Sequence, residues 1–189
     1  MWQGYVKKMT VMNEQQRKVI RTLKGLEKND FSTGVEIPVM DEQNLKVGSL
    51  KPVDCRLAND EEIVNSLSDW RVRFKQFFFT QFEVTNERTR SRLNNVVIQD
   101  DTRILFLIVD ATGKVVGHVG ARNITLDSVE LDNIIRGQRG GGPKLIVLSA
   151  INLIGWIYRT LDIKKFNSRV LADNFRVRSV MGCNRRLRA

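Results

Sequence analysis

Residues 129–161 place a strand-like run, a glycine-rich basic loop and a long apolar helical pattern directly one after another. Glycines in the loop, residues 137–142, let the main chain approach a ligand closely. The start of the following helix offers unpaired N–H groups and a partial positive charge to an anion. Arg139 and Lys144 add full charges, and Pro143 fits the first helical turn, where its missing N–H costs nothing. This segment therefore predicts a phosphate-binding loop.

The length of the chain favours one domain with a modest appendage. Its 189 residues, 42% of them hydrophobic, can form one well-buried core but not two ordinary domains. We expect an N-terminal extension over residues 1–50, with an amphipathic helix and a linker, and a domain over residues 51–189. The formal net charge is +10, and residues 164–189 hold eight Lys or Arg against one Asp. Such a charge suits a polyanion, a membrane surface or a phosphorylated cofactor.

The cysteine and histidine content argues against a metal site. Cys55 and Cys183 are far apart and fit neither a metal nor a redox spacing, so we expect free thiols in a reducing compartment. The chain has one histidine, and we expect no metal. The N-terminus lacks an uninterrupted apolar core for a signal peptide, and no segment reaches membrane-spanning length without charges. We therefore expect a cytoplasmic protein without a membrane span.

The order of the elements predicts an α/β fold of the α+β type, with a mixed central sheet flanked by helices. The first helix is amphipathic, and we expect it to dock on its own domain, with a membrane surface or a partner helix as the alternative. Helices are predicted over residues 14–28, 60–79 and 145–161, from Thr85 and from Phe175; strands are predicted over 103–110, 114–120, 129–135 and 166–171, with one or two edge strands in 29–53.

Four stretches of the chain occur in an order typical of one enzyme superfamily. They are Trp70-Arg71 with Thr85-x-Glu87-Arg88, the hairpin Leu105–Gly120, the strand and loop Val129–Lys144, and Arg169–Asn174. Together, over roughly residues 50–180, they resemble the GCN5-related N-acetyltransferase (GNAT) superfamily, which transfers acetyl from acetyl-CoA to an amine. The similar branch includes ribosomal-protein N-terminal acetyltransferases and acetyltransferases of surface-polysaccharide clusters.

The resemblance implies that coenzyme A lies between the strand ending at Ile135 and the strand ending at Leu171. Its pantetheine would pair with main-chain groups of residues 134–136, and its pyrophosphate would lie on residues 140–144. The loop meets the family pattern only in part, because Pro143 or Lys144 stands at the last small position. The implied cofactor-binding residues are Ile134, Ile135, Arg136, Gln138, Arg139, Gly140, Gly141, Gly142, Lys144 and Asn174.

The family reaction requires a group that removes a proton from the acceptor amine. Glu130 and Asp132 alternate with an apolar residue on the third predicted strand and so share a face, where the resemblance places the acceptor. Glu130 is the first candidate base and Asp132 the second, with acceptor binding or surface exposure as the alternative. His118 is a further catalytic candidate, although an isolated histidine in an apolar strand is commonly a packing residue.

Two further features allow two interpretations each. Arg136, at the end of a predicted strand, binds a cofactor phosphate or is a solvated surface charge. Residues 77–79, three consecutive phenylalanines, line an acceptor pocket or pack between helices.

The end of the chain departs from the family. The family continues after the asparagine with a helix that carries a Tyr or His acid and with two more strands. Here the acid position falls near Met181, and an arginine-rich run ends the chain. We expect a truncated or frame-shifted product or a fragment, with the strand at 166–171 exposing an edge through which two copies could pair. Alternatively, the tail is an anion-binding arm.

These observations predict an acetyl-CoA-dependent N-acetyltransferase that acts on a small amine, with a nucleotide-linked amino sugar as one candidate acceptor. One alternative is a CoA-binding remnant or interaction module without turnover. A third hypothesis, a basic nucleic-acid-binding protein, has the net charge in its favour but lacks interleaved aromatic and basic residues or a helix-turn-helix.

Overall fold

A computed structural model describes residues 11–27, 35–78, 80 and 82–169. Short 3-10 turns cover Leu57–Asn59 and Lys75–Phe77, and a π-helical turn covers Leu93–Ile98. The helices are α1 (Glu14–Leu23), α2 (Glu61–Arg73), α3 (Asn86–Arg92) and α4 (Leu145–Leu161); the strands are β1 (Ile37–Met40), β2 (Lys46–Pro52), β3 (Ile104–Asp110), β4 (Val115–Arg122), β5 (Ser128–Arg136) and β6 (Lys165–Ser168).

The six strands form one sheet in the order of the sequence, β1 to β6. Neighbouring strands are antiparallel except β5 and β6, which are parallel and joined by α4. The parallel pairing is short, because β6 pairs only with Ser128 to Leu131 of the longer strand β5. The outer edge of β5 beyond Leu131 therefore has no strand partner in the described residues.

Two apolar cores lie on opposite faces of the sheet. Helices α1 and α4 cover one face, where Ile20 and Leu153 are completely buried against strand residues such as Phe106. Helix α2 and the π-helical turn cover the other face, where Trp70 and Val97 pack against Leu107 and its neighbours. Strand β3 is buried along its whole length because successive side chains enter both cores. The predicted mixed α/β architecture is confirmed.

Three helices begin at the polar residues that favour helix starts. Asn13 caps α1 in a capping box with Gln16, Asp60 caps α2, and Thr85 caps α3. Two helices are shorter than the periodicity predicts. Helix α1 ends at Leu23 rather than residue 28, because Gly25 adopts a left-handed backbone. Helix α2 ends at Arg73 rather than residue 79, and a 3-10 turn follows it.

The segment before residue 51 contributes to both the sheet and its cover. Strands β1 and β2 extend the sheet beyond β3, and α1 docks on the same domain. The buried Gln16 amide donates hydrogen bonds to the carbonyls of Leu126 and Leu161, at 3.1 and 2.7 Å. No helix among residues 11–27, 35–78, 80 and 82–169 has the length and apolar character needed to cross a membrane.

Lys24, the residue that follows α1, is completely buried. Its ammonium donates hydrogen bonds to the carbonyls of Ile98 and Asp100, at 3.2 and 2.6 Å, at the end of the π-helical turn. Burial lowers the pKa of Lys24 to about 8, and the charges of Asp101 and Asp100 oppose that shift. A cation at the carbonyl end of a helical turn interacts favourably with the backbone dipoles, so this side chain fixes α1 to the opposite half of the domain.

Lys24→Met should reduce the free energy of unfolding by about 2–4 kcal/mol, because two buried carbonyls lose a charged donor. Urea unfolding followed by circular dichroism measures the change. Lys18→Met, on the exposed side of the same helix, is the matched control and should have little effect. Equal stability of the two variants would contradict an anchoring role for Lys24.

Candidate functional site

Strand β5 carries an irregularity at Asn133 that changes the direction of the side chains after it. Asn133 has a left-handed backbone, with φ of 52°, and the register with β4 shifts between His118 and Gly120. Leu131 belongs to the core under α4, whereas Ile135, four residues later, belongs to the core under α2. A regular strand would place residues four apart on the same face. Asn133 is therefore the extra residue of a β-bulge.

The bulge lies where β5 loses its partner β6. Beyond it, Ile134 packs on the α4 core and Ile135 on the α2 core, while the outer edge of the strand has no described neighbour. Backbone groups that lack a strand partner among the described residues could pair with an extended ligand. The predicted pantetheine position, main-chain groups of residues 134–136, coincides with this edge.

Glu130 lies before the bulge and is buried, with an exposed fraction of 7%. Its carboxylate accepts hydrogen bonds from Arg122 at 2.7 Å, Arg169 at 2.8 Å and the Asn123 amide at 2.9 Å. Burial alone would raise the pKa of Glu130, but the hydrogen bonds from Arg169 and Arg122 outweigh it and bring the pKa to about 2. Such a carboxylate is a weak base at neutral pH.

Asp132 lies on the same face as Glu130, and Arg122 contacts both carboxylates. Its Oδ2 is 3.7 Å from Nη1 of Arg103 and accepts a hydrogen bond of 2.8 Å from the Asn133 amide. Both predicted carboxylates thus belong to one network of ion pairs.

His118 lies on β4, opposite Ile135, and is 94% buried. Its ring stacks on Trp70 of α2, with centroids 5.9 Å apart and an angle of 20° between the planes. Burial lowers the pKa of His118 to about 4, and although a hydrogen bond with the Asn133 backbone opposes this, the charges of Arg92 and Arg71 reinforce it. The ring is therefore neutral at physiological pH. Its buried Nδ1 has no hydrogen-bond partner in the described part of the chain.

A cavity of about 70 Å³ lies beside His118, between the sheet, α2 and α3. Asn133 of the bulge also lines it, so the cavity meets β5 where its free edge begins. One water molecule needs roughly 10–15 Å³ of such space, so the cavity has room for about five water-sized groups. The rest of its lining combines apolar residues with the arginines Arg71, Arg88 and Arg92. Of the phenylalanine triplet, Phe78 lines the cavity, Phe77 is 36% exposed, and Phe79 lies outside the described residues.

The glycine-rich loop between β5 and α4 has two glycines with positive φ, Gly140 and Gly141. At Gly141, φ is 58°, and a Cβ atom would lie 2.3 Å from Cδ2 of Leu145. A larger residue would therefore strain the backbone and displace the first residue of α4. Pro143 lies in the turn before α4 rather than in its first turn as predicted, because the helix begins only at Leu145.

Asp110, at the end of β3, fixes this loop through hydrogen bonds. Its Oδ2 accepts a hydrogen bond of 3.0 Å from the Gly141 N–H, and its Oδ1 accepts bonds from the Thr112 hydroxyl and the Lys114 N–H. The Thr112 hydrogen bond is the main cause that lowers the pKa of Asp110. One N–H of the loop thus already has an anionic partner within the protein.

The remaining loop side chains either hydrogen-bond to the backbone of the protein or carry an exposed charge. Arg136 donates hydrogen bonds to the carbonyls of Gly140 and Gly142, at 2.7 and 3.1 Å, and Gln138 donates to a carbonyl of β4. Arg139 is exposed, and Lys144 forms an exposed ion pair with Glu42. An exposed pair of this kind is weak, so Lys144 can exchange its partner for a ligand anion.

The described residues fit a pyrophosphate and an extended pantetheine in broad arrangement. A loop with exposed Gly141, Gly142, Arg139 and Lys144 lies at the start of α4, next to the free edge of β5. Asn174, the last predicted cofactor-binding residue, lies outside the described residues. No group of three or more His, Cys, Asp or Glu that could hold a metal ion occurs within the described ranges.

Sequence reasoning did not place four residues in this site: Asp110, Asn133, Arg71 and Arg92. Asp110 stands at a position that the sequence marks as an ordinary turn, and its contact partner Gly141 is 31 positions away. The bulge at Asn133 has a weak signal, since asparagine tolerates a left-handed backbone better than most residues. Arg71 and Arg92 belong to helices with many charges, and only the tertiary structure shows that both line the cavity.

Comparison with protein families gives a match over most of the chain. Residues 50–184 match a family model described as an acetyltransferase (GNAT) domain. No curated protein matches the chain by sequence.

Several solved structures share the fold. RimL, a ribosomal L7/L12 alpha-N-protein acetyltransferase in complex with coenzyme A, has a TM-score of 0.62 at 18% identity, covering 79% of this chain and 82% of that one. The N-acetyltransferase PseH of Campylobacter jejuni with acetyl coenzyme A gives 0.51 at 16% identity, covering 74% and 87%. Mutant forms of the spermidine/spermine N-acetyltransferase SpeG of Vibrio cholerae give 0.54 at 13% identity, covering 71% and 76%.

Asn133→Val should lower the free energy of unfolding by about 1–2 kcal/mol, because a β-branched residue at positive φ is strained. Asn133→Gly, which removes the same amide without that strain, is the matched control and should cost less. Urea unfolding measures both variants. A valine variant as stable as the glycine variant would show that the bulge relaxes at no cost.

The ring of His118 should titrate near pH 4 in the folded protein, against about 6.5 in the unfolded chain. Between these pH values the ring is protonated in the unfolded chain but not in the folded protein. The free energy of unfolding therefore falls by about 3 kcal/mol as the pH decreases from 6.5 to 4. Because the chain has one histidine, NMR of untagged protein follows the ring without ambiguity. A midpoint near 6.5 would mean that the ring is solvated.

Proposed function

The chain belongs to the GNAT acetyltransferase family, and from that premise we propose that it transfers the acetyl group of acetyl-CoA to a small amine, with a nucleotide-linked amino sugar as the first candidate acceptor. The family makes it an N-acetyltransferase with acetyl-CoA as cofactor. The observation that carries the proposal is the order of features along β5: the cavity at Asn133, the stretch beyond Leu131 without a described outer partner, and the glycine-rich loop after Arg136.

The cofactor end of the proposed site is the loop at the start of α4. Arg139 and Lys144 would hold the pyrophosphate together with the Gly142 N–H, while Arg136 and the Asp110 carboxylate, which accepts from the Gly141 N–H, keep the loop in shape. Ile134, beside the bulge, would offer main-chain groups to the pantetheine. When bound, acetyl-CoA supplies the activated acetyl group as a thioester.

The acceptor end of the proposed site is the cavity lined by His118. For transfer, the amine must lose a proton, and a neutral imidazole with an unpartnered nitrogen can accept a hydrogen bond from an amine or a water molecule. The neighbouring carboxylates are less suited to that task. Glu130 is held ionised by three donors, and we assign Glu130 and Asp132 to an ion-pair network with Arg103, Arg122 and Arg169.

Gly141→Glu should abolish coenzyme A binding or weaken it at least about tenfold, because it strains the loop and adds a negative charge beside Asp110. Calorimetry of the full chain with coenzyme A and acetyl-CoA measures the effect. Gln15→Glu, an exposed residue of α1, introduces the same charge away from the loop and should leave the affinity unchanged. Equal binding by all three proteins would move the pyrophosphate to another site.

Turnover is tested by the release of the coenzyme A thiol from acetyl-CoA upon addition of an amine panel. The panel includes amino sugars, nucleotide-linked amino sugars, peptides with free N-termini and polyamines. Thiol release that depends on both the amine and Gly141 would support the enzyme. A folded chain that binds coenzyme A but releases no thiol with any amine would support a CoA-binding module without turnover instead.

A further inference from the structure

Two arginines at the cavity lack an acidic partner. Arg71 extends from α2 and Arg92 from the end of α3, and both line the cavity beside His118. Within the described ranges, neither forms a salt bridge with a carboxylate. Burial is the main cause that lowers the pKa of Arg71 to about 10 and that of Arg92 in the same direction, with Asp132 as the opposing charge in each case. Both side chains are half-buried, and a cation that loses part of its water without a carboxylate beside it is costly, so their placement requires a reason.

Arg71 is held rigidly in this position. Its guanidinium carbon lies 3.5 Å from the ring centroid of Phe78 and 4.8 Å from that of Phe82. Its Nη2 also donates a hydrogen bond of 2.8 Å to the carbonyl of Thr80. An arginine held in one orientation by aromatic rings loses less entropy when it binds a ligand.

The carboxylates near the cavity are already engaged by other arginines. Glu130 pairs with Arg122 and Arg169, and Asp132 lies close to Arg103 and Arg122. This leaves positive charge in excess around the cavity, and His118 is neutral and contributes none. An anion is the partner that such an arrangement lacks.

We propose that the acceptor amine carries an anionic group, a phosphate or a carboxylate, and that Arg71 and Arg92 bind this group while the amine faces His118. This inference rests on the proposed function, because it assumes that the ligand is an acetyl acceptor. The binding of an anion by the two arginines does not depend on that reaction. It also excludes polyamines as acceptors, because a second cation would meet two arginines that have no counter-charge.

The ring of His118 provides the readout, since it lines the same cavity and is the only histidine of the chain. Untagged full-length protein is saturated with coenzyme A, so that the loop is occupied, and is titrated with glucosamine 6-phosphate, glucosamine or inorganic phosphate, while NMR follows the ring. Free glutamate, an amine that carries carboxylates, is the fourth probe. The phosphate and carboxylate probes thus separate the two anion types.

We expect an anionic probe to shift the ring signals with an affinity at least about tenfold higher than that of glucosamine. Arg92→Gln should remove this preference, and Arg92→Lys, which keeps the charge but loses the planar fork, should retain part of it. Arg56→Gln, with a side chain that is 76% exposed, removes the same charge elsewhere and should leave it intact. Arg71→Gln tests the second arginine, with circular dichroism confirming its fold.

Two results would overturn the inference. One is a protein that binds coenzyme A but shows equal affinity for glucosamine and every anionic probe, or no response to any of them. The other is an anion preference that survives in Arg92→Gln and Arg71→Gln. Failure of coenzyme A binding would count against the proposed function instead. The anion site would then be tested by phosphate binding alone, which the Gly141→Glu variant should retain and the Arg92→Gln variant should lose.

Discussion

The β-bulge at Asn133 is the constraint on which the candidate site depends. Before it, strand β5 pairs on both sides and places Glu130 and Asp132 among arginines on the cavity face. After it, the outer edge has no described partner and the alternation of side chains is reversed, so that Ile135 seals the α2 core. The bulge thus separates the half of the strand that pairs with β6 from the half for which the described residues provide no outer partner.

The sequence predicts the middle of the domain better than its ends. Helix α4 has the predicted limits, Leu145–Leu161, because its apolar periodicity and its burial against the sheet point to the same structure. The first helix extends too far in the prediction, since a single Gly25 outweighs the amphipathic pattern after Leu23. Whether residues 29–53 form an edge or an interior strand depends on pairing over long distances, and such pairing leaves little trace in local composition.

The candidate site divides in the same way. The loop and the cavity histidine can be found from residue types alone, because glycines before an apolar helix and a lone histidine are visible in the sequence. Contacts between residues that are far apart in the sequence cannot be found in this way. The Asp110 carboxylate on Gly141 and the ion pairs that engage Glu130 arise only when separate elements meet. These contacts reduce the basicity expected of Glu130 and direct attention to His118.

His118 and the two cavity arginines, Arg71 and Arg92, also influence one another. Burial is the main cause of the low pKa of His118, but the charges of Arg92 and Arg71 add to it. An anionic acceptor bound by these arginines would neutralise that contribution and move the pKa of the ring upward, toward the range in which imidazole is an effective base. The group that anchors the acceptor would then also prepare the ring that receives its proton, so that a buried histidine with a pKa near 4 becomes a better base when the substrate is present.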